Sequence, residues 1–103
     1  MKNKIHMLNN SDITSRFPGQ MNSFVIEMED EKIVVIDGGY RDECKHMLHY
    51  LQKITNRVKP IVSGWFLTHP HQDHIGCFME MMEHHSKDMR LNMFIIIFRL
   101  FNS

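Results

Sequence analysis

The spacing of apolar positions changes repeatedly along this chain, and each change predicts an element. Residues 9–23 hold no period; they are rich in Asn, Ser, Gly and Pro around Phe17-Pro18-Gly19, which predicts a loop. From Ser23 to Met28 the chain is β-branched and aromatic, then Glu29-Asp30-Glu31 forms a polar break before Lys32-Ile33-Val34-Val35-Ile36. Two such runs across a short polar turn predict a β-hairpin. Four consecutive apolar residues in the second run predict a strand buried on both faces.

That strand ends at Asp37-Gly38-Gly39, where the glycines permit a sharp turn and leave room close to the backbone. The period then becomes helical. Cys44, Met47, Leu48, Leu51, Ile54 and Val58 recur at three- and four-residue steps, with Asp42 as N-cap or first-turn acid and Pro60 as the stop. Gly64-Trp65-Phe66-Leu67 is a short apolar strand. Ile75, Phe78, Met79 and Met82 mark a second helix that starts at His74 and fades near His84-His85-Ser86, and Met93 to Phe98 predicts an interior strand. The order β-β-α-β-α-β, helices alternating with buried strands, predicts an α/β layered domain.

Composition narrows what such a domain does. Twelve basic and twelve acidic residues cancel in 103, so no net field recruits nucleic acid or a membrane surface. Cys44 and Cys77 are too few for a disulfide framework and lack C-x-x-C spacing, which predicts a reduced, cytoplasmic setting. The first ten residues are basic without an apolar core and predict no signal peptide. Leu91 to Phe101 is very apolar but shorter than a bilayer span and interrupted by Asn92 and Arg99. Ten methionines fall mostly at apolar helical positions, as core filler.

The chemistry concentrates in His69-Pro70-His71-Gln72-Asp73-His74. Three imidazoles and a carboxylate within six positions are the donors that zinc and similar cations prefer. The preceding strand delivers the chain to a C-terminal end, where ligands gather in layered α/β folds. Alternate residues of an extended segment point the same way, so His69 and His71 face one cation, with Pro70 stiffening the backbone between them. Asp73 and His74 follow as the chain bends into helix and face a second point. This suits two cations about 3.5–4 Å apart that activate a water between them. At the chain's own His and Asp frequencies, H-x-H-x-D-H arises by chance in roughly three of a thousand such chains.

Thr68-His69-Pro70-His71-Gln72-Asp73-His74-Ile75-Gly76 resembles the signature T-H-x-H-x-D-H-x-G of the metallo-β-lactamase-fold metallohydrolases, and Val34-Val35-Ile36-Asp37-Gly38-Gly39 resembles that family's strand ending in Asp-Gly-Gly. The resemblance implies the first αβ half of an αββα sandwich. It implies His69 and His71 as ligands of one divalent metal, Asp73 and His74 as ligands of a second, and zinc as the metal. It further implies a catalytic role for Asp73 in orienting the nucleophilic hydroxide and handling protons. Asp37 and Thr68 would support the ligands from behind. The reaction implied is attack on an ester, amide or phosphodiester-type centre of a small molecule.

In the family the second half supplies a further histidine, a bridging aspartate and a last histidine, and none has a matching position here. The chain is therefore expected to be one truncated domain over residues 1–103 with an incomplete site. Its alternative reading is a catalytically inactive fragment that binds metal weakly or docks on a partner. Its last strand would expose apolar surface for a complementing chain or an oligomer to cover. Among the other histidines, His84 and His85 sit about 15 Å along the helix by its rise and His46 and His49 are solvated neighbours. Cys77, where the family commonly has glycine, is a small packed residue.

Overall fold

A computed structural model describes residues 4–8, 23–29 and 31–97. The elements are β1 (Lys4–Leu8), β2 (Ser23–Glu27), β3 (Ile33–Asp37), a single 3-10 turn (Arg41–Glu43), α1 (Cys44–Thr55), β4 (Ile61–Leu67), α2 (Gln72–His84), β5 (Arg90–Leu91) and β6 (Phe94–Ile96). All six strands form one sheet. β1, β2 and β3 are joined antiparallel, β3 and β4 run parallel, and β5 and β6 pair in turn with successive stretches of β4, also parallel. The parallel β3–β4 pair requires a crossover, and α1 provides it.

Register decides which side chains share a face. Val25, Val35, Trp65 and Phe94 are successive partners across four strands, and so are Phe24, Ile36, Phe66 and Ile95. The first row lies under the helices: Phe78 of α2 packs edge-on to Trp65 with ring centres 5.3 Å apart and also meets Phe94 at 5.2 Å. Met47, Leu48 and Leu51 of α1 and Cys77, Phe78 and Met81 of α2 close over Val25, Ile33, Val35, Val62 and Trp65 to make the core. Each large apolar side chain buried there contributes about 1.5–3 kcal/mol. The second row faces away from both helices; Phe24 in it is exposed, and Ile36, Phe66 and Ile95 are half-buried.

Four features differ from the sequence expectation. Lys4–Leu8 forms a strand, tied to α1 by the Tyr50 hydroxyl at 2.9 Å from His6 Nδ1, while His6 Nε2 meets Glu27 at 3.0 Å. α1 ends at Thr55, before Pro60, because Asn56 takes the left-handed conformation at φ 54° and caps the helix onto Gln52 O. Asparagine tolerates that region as few other residues do. Val58, counted into the helix face, is 87% exposed instead. β4 starts at Ile61, so the strand is longer than Gly64–Leu67.

The predicted interior strand from Met93 to Phe98 is the fourth difference. It is the three-residue edge strand Phe94–Ile96, with Met93, Phe94, Ile96 and Ile97 all exposed; Phe98 lies outside the described residues. An apolar run looks the same in sequence whether it has one neighbour or two. The loop predicted over residues 9–23 lies outside the described residues except for Ser23, which opens β2.

Candidate metal centre

The parallel pairing of β3 and β4 sets their C-terminal ends side by side, and the predicted site residues lie there. Asp37 ends β3 with φ 59°, and Gly39 two positions on has φ 94°, so the chain turns away sharply after the carboxylate. Gly38 between them must be small: a Cβ there would lie 3.0 Å from the Trp65 ring and 3.1 Å from Cys77 Cβ. The Trp65 indole N–H donates to the Asp37 carbonyl at 2.6 Å, and Cys77 N–H donates to the Gly39 carbonyl at 2.9 Å. The turn is thus fastened to β4 on one side and to α2 on the other.

Asp37 is 5% exposed, yet its carboxylate is well supplied with donors. Thr68 N–H donates to Oδ1 at 2.8 Å, the Thr68 hydroxyl donates to Oδ2 at 2.5 Å, and His74 Nδ1 meets Oδ2 at 2.9 Å. A carboxylate only accepts, so His74 carries its proton on Nδ1. Having donated its only proton to Asp37, the Thr68 oxygen accepts from His69 Nδ1 at 2.8 Å, which frees His69 Nε2. One buried acid therefore sets the tautomer of two imidazoles, directly and through a hydroxyl.

His69 and His74 are brought together, with ring centres 4.4 Å apart. One donor atom from each of Asp37, His69 and His74 falls within 4.8 Å of the others. His71 is exposed, its ring stacked on His69 with centres 6.4 Å apart, and it is the N-cap of α2 in extended conformation. Its carbonyl accepts from the N–H of His74 and Ile75 at 2.8 and 2.9 Å. Asp73 stands in the first turn of α2; its side chain lies outside the described residues. Two imidazoles, one from a strand end and one from a helix start, grouped with a carboxylate, are a donor set that fits a divalent cation.

Gly76 allows α2 to come this close. A Cβ on it would lie 2.7 Å from Arg41 N and 3.1 Å from Tyr40 C, both backbone atoms of the 3-10 turn region. The motif's glycine thus seats the helix that carries His74 against the segment following Gly39.

The other histidines are placed elsewhere. His49 and His84 are exposed, His46 is half-buried, and His85 Nδ1 lies 3.2 Å from Asp88. Glu80, Glu83 and His84 form a second group of possible donors, but Arg41 Nη1 donates to Glu80 at 3.0 Å and Glu83 at 2.8 Å, so the chain supplies its own cation there. That guanidinium holds the Glu83 carboxyl below its ordinary value, and Glu83, followed by Glu80, raises Arg41 in return. Neither Arg41 nor the Tyr50–His6–Glu27 chain was visible in the sequence, since neither sits in a motif or a period.

The family model of the metallo-beta-lactamase superfamily matches residues 16–88. The chain belongs to the metallo-beta-lactamase superfamily, with the mixed α/β architecture of part of that fold. No curated protein matches it in a sequence comparison. No helix among the described residues is long and apolar enough to cross a membrane.

Proposed function

We propose that this chain binds divalent metal, zinc by preference, and contributes to a hydrolytic centre. His69 and His71 would hold one cation and Asp73 and His74 a second. The observation that carries the reading is the grouping of Asp37, His69 and His74, one donor atom of each within 4.8 Å of the others, with both imidazoles held through the Asp37 carboxylate. Bound there, a divalent cation supplies Lewis-acid polarisation and a hydroxide nucleophile at neutral pH. Asp73 would orient that nucleophile and handle protons, and Asp37 and Thr68 would hold the imidazoles in place. The substrate class is an ester, amide or phosphodiester-type small molecule.

These four side chains give each cation two donors, whereas catalytic zinc sites use about three plus water. Purified and zinc-loaded, the 103-residue chain is therefore expected to hydrolyse generic phosphodiester and lactam probes barely above background. Robust turnover abolished by a chelator would show that its own donors suffice. The helix-free apolar row Phe24, Ile36, Phe66 and Ile95 favours a second reading, in which the chain acts within an assembly. Light scattering at rising protein concentration separates the two, a constant monomer mass disfavouring self-assembly.

A further inference from the structure

Both helices pack on one face of the sheet, and among the described residues no helix lies on the other. Side chains alternate across a strand, so the pairing register gives that second face residue by residue. Ile5, Ile26, Val34 and Gly64 form one row across β1, β2, β3 and β4. Phe24, Ile36, Phe66 and Ile95 form the next, which reaches β6. Met93 joins them over Gly64, where an added Cβ would lie 3.9 Å from the Met93 Cγ. Arg90, paired with Ile61 at one corner, is the one charged residue that the six strands direct to this face. A sheet face this apolar has the pattern of one that is buried.

We propose that a second copy of the chain covers this face, sheet against sheet, across a two-fold axis. The inference rests on the assembly reading above and is independent of the histidines. Ile5 is 71% exposed, Met93 53% and Phe24 41%, while Ile26, Val34, Ile36, Phe66 and Ile95 are half-buried. At these exposures each copy offers on the order of 600 Å² of apolar surface, the upper end of what a monomer leaves in one patch. With a polar rim added, that approaches the roughly 800 Å² that each partner of a stable complex buries.

Charge selects the chain itself as the occupant. A two-fold interface sets a patch against its own copy, so any charge at its centre would meet a like charge. This face carries none there, Arg90 standing at the corner. The helical side is different: α1 exposes Lys45, His49 and Lys53 along one stripe, which would oppose self-docking. Twelve basic and twelve acidic residues cancel over the chain, so no net repulsion keeps two copies apart. Two sheets packed this way lie about 10 Å apart with their strands within about 30° of alignment, and their side chains interdigitate. Because each patch is used up on the other, assembly stops at two copies.

Sedimentation velocity of the full chain over a concentration series tests this. The parent is expected to reach the mass of two chains and stop there. Phe24→Glu places a charge on the face in both copies and is expected to raise the dimer dissociation constant about 30-fold or more. Ile96→Lys, on the helix side of β6, is expected to leave the dimer intact, which separates docking by the face from pairing along the strand edge. A parent that stays monomeric, a mass that grows past two chains, a dimer undiminished by Phe24→Glu, or one abolished by Ile96→Lys would each overturn the inference. Circular dichroism checks folding, and if Phe24→Glu does not fold, Ile5→Lys on the same face decides by the same criterion. Zinc titration of His69→Ala/His71→Ala reads the metal proposal separately, and that variant is expected to dimerise like the parent.

Discussion

Asp37 and His74, on different elements, are joined by a 2.9 Å hydrogen bond between a carboxylate that ends β3 and an imidazole in the first turn of α2. The bond ties ring orientation to the sheet. The acid is nearly sealed from solvent, so its partners have little competition from water. Asp37→Asn keeps the shape but replaces one acceptor oxygen with a donor, which cannot face both Thr68 and His74. Zinc affinity is expected to fall about 10–100-fold. Competition against a chromophoric chelator measures it, with near-parent circular dichroism as the control for folding.

Thr68 offers a graded version of the same test. Its hydroxyl links Asp37 to His69. Thr68→Val removes the link at nearly constant volume and should weaken zinc about ten-fold. Thr68→Ser restores the hydroxyl and should recover most of the loss. An equal loss in both variants would point to packing rather than hydrogen bonding.

Gly76→Ala is predicted to be destabilising. The added methyl would meet backbone at Arg41 and Tyr40, which cannot rotate away as a side chain would. The helix must shift, at about 1–3 kcal/mol. Thermal denaturation of the metal-free proteins measures this, and an unchanged midpoint would show that α2 and the 3-10 turn are not in the contact described.

How much of this was legible in the sequence depends on the range of the interaction. The H-x-H-x-D-H run and the Asp37-Gly38-Gly39 turn are local, and the strand and helix carrying them follow from period alone. The strand Lys4–Leu8 was not legible, because the alternation Lys4-Ile5-His6-Met7 is too short to stand out and the Tyr50 that partners His6 lies far along the chain. The end of α1 was not legible because Val58 continues the period that Asn56 interrupts by backbone conformation. The tautomers of His69 and His74 depend on a carboxylate more than thirty positions away, which only the parallel β3–β4 pairing brings near.

The Arg41–Glu83 pair yields a pH prediction with a definite sign. Arg41 lowers the Glu83 carboxyl in the folded chain, so the pair stabilises above the ordinary glutamate range. Its contribution is lost as pH falls through the lowered folded value. Both groups are solvent-exposed, so the effect is small. In acid titrations followed by thermal midpoint, Glu83→Gln should lie below the parent at neutral pH and converge with it in acid. A constant gap across that range would contradict the ion-pair account.

The central claim is that His69 and His71 belong to a defined metal site rather than to a histidine-rich surface. Calorimetric titration with zinc of the parent chain and of His69→Ala/His71→Ala tests it most directly, since both side chains are at the surface and their removal leaves the core intact. The account predicts tighter zinc binding by the parent. Equal affinity in the two proteins would contradict it.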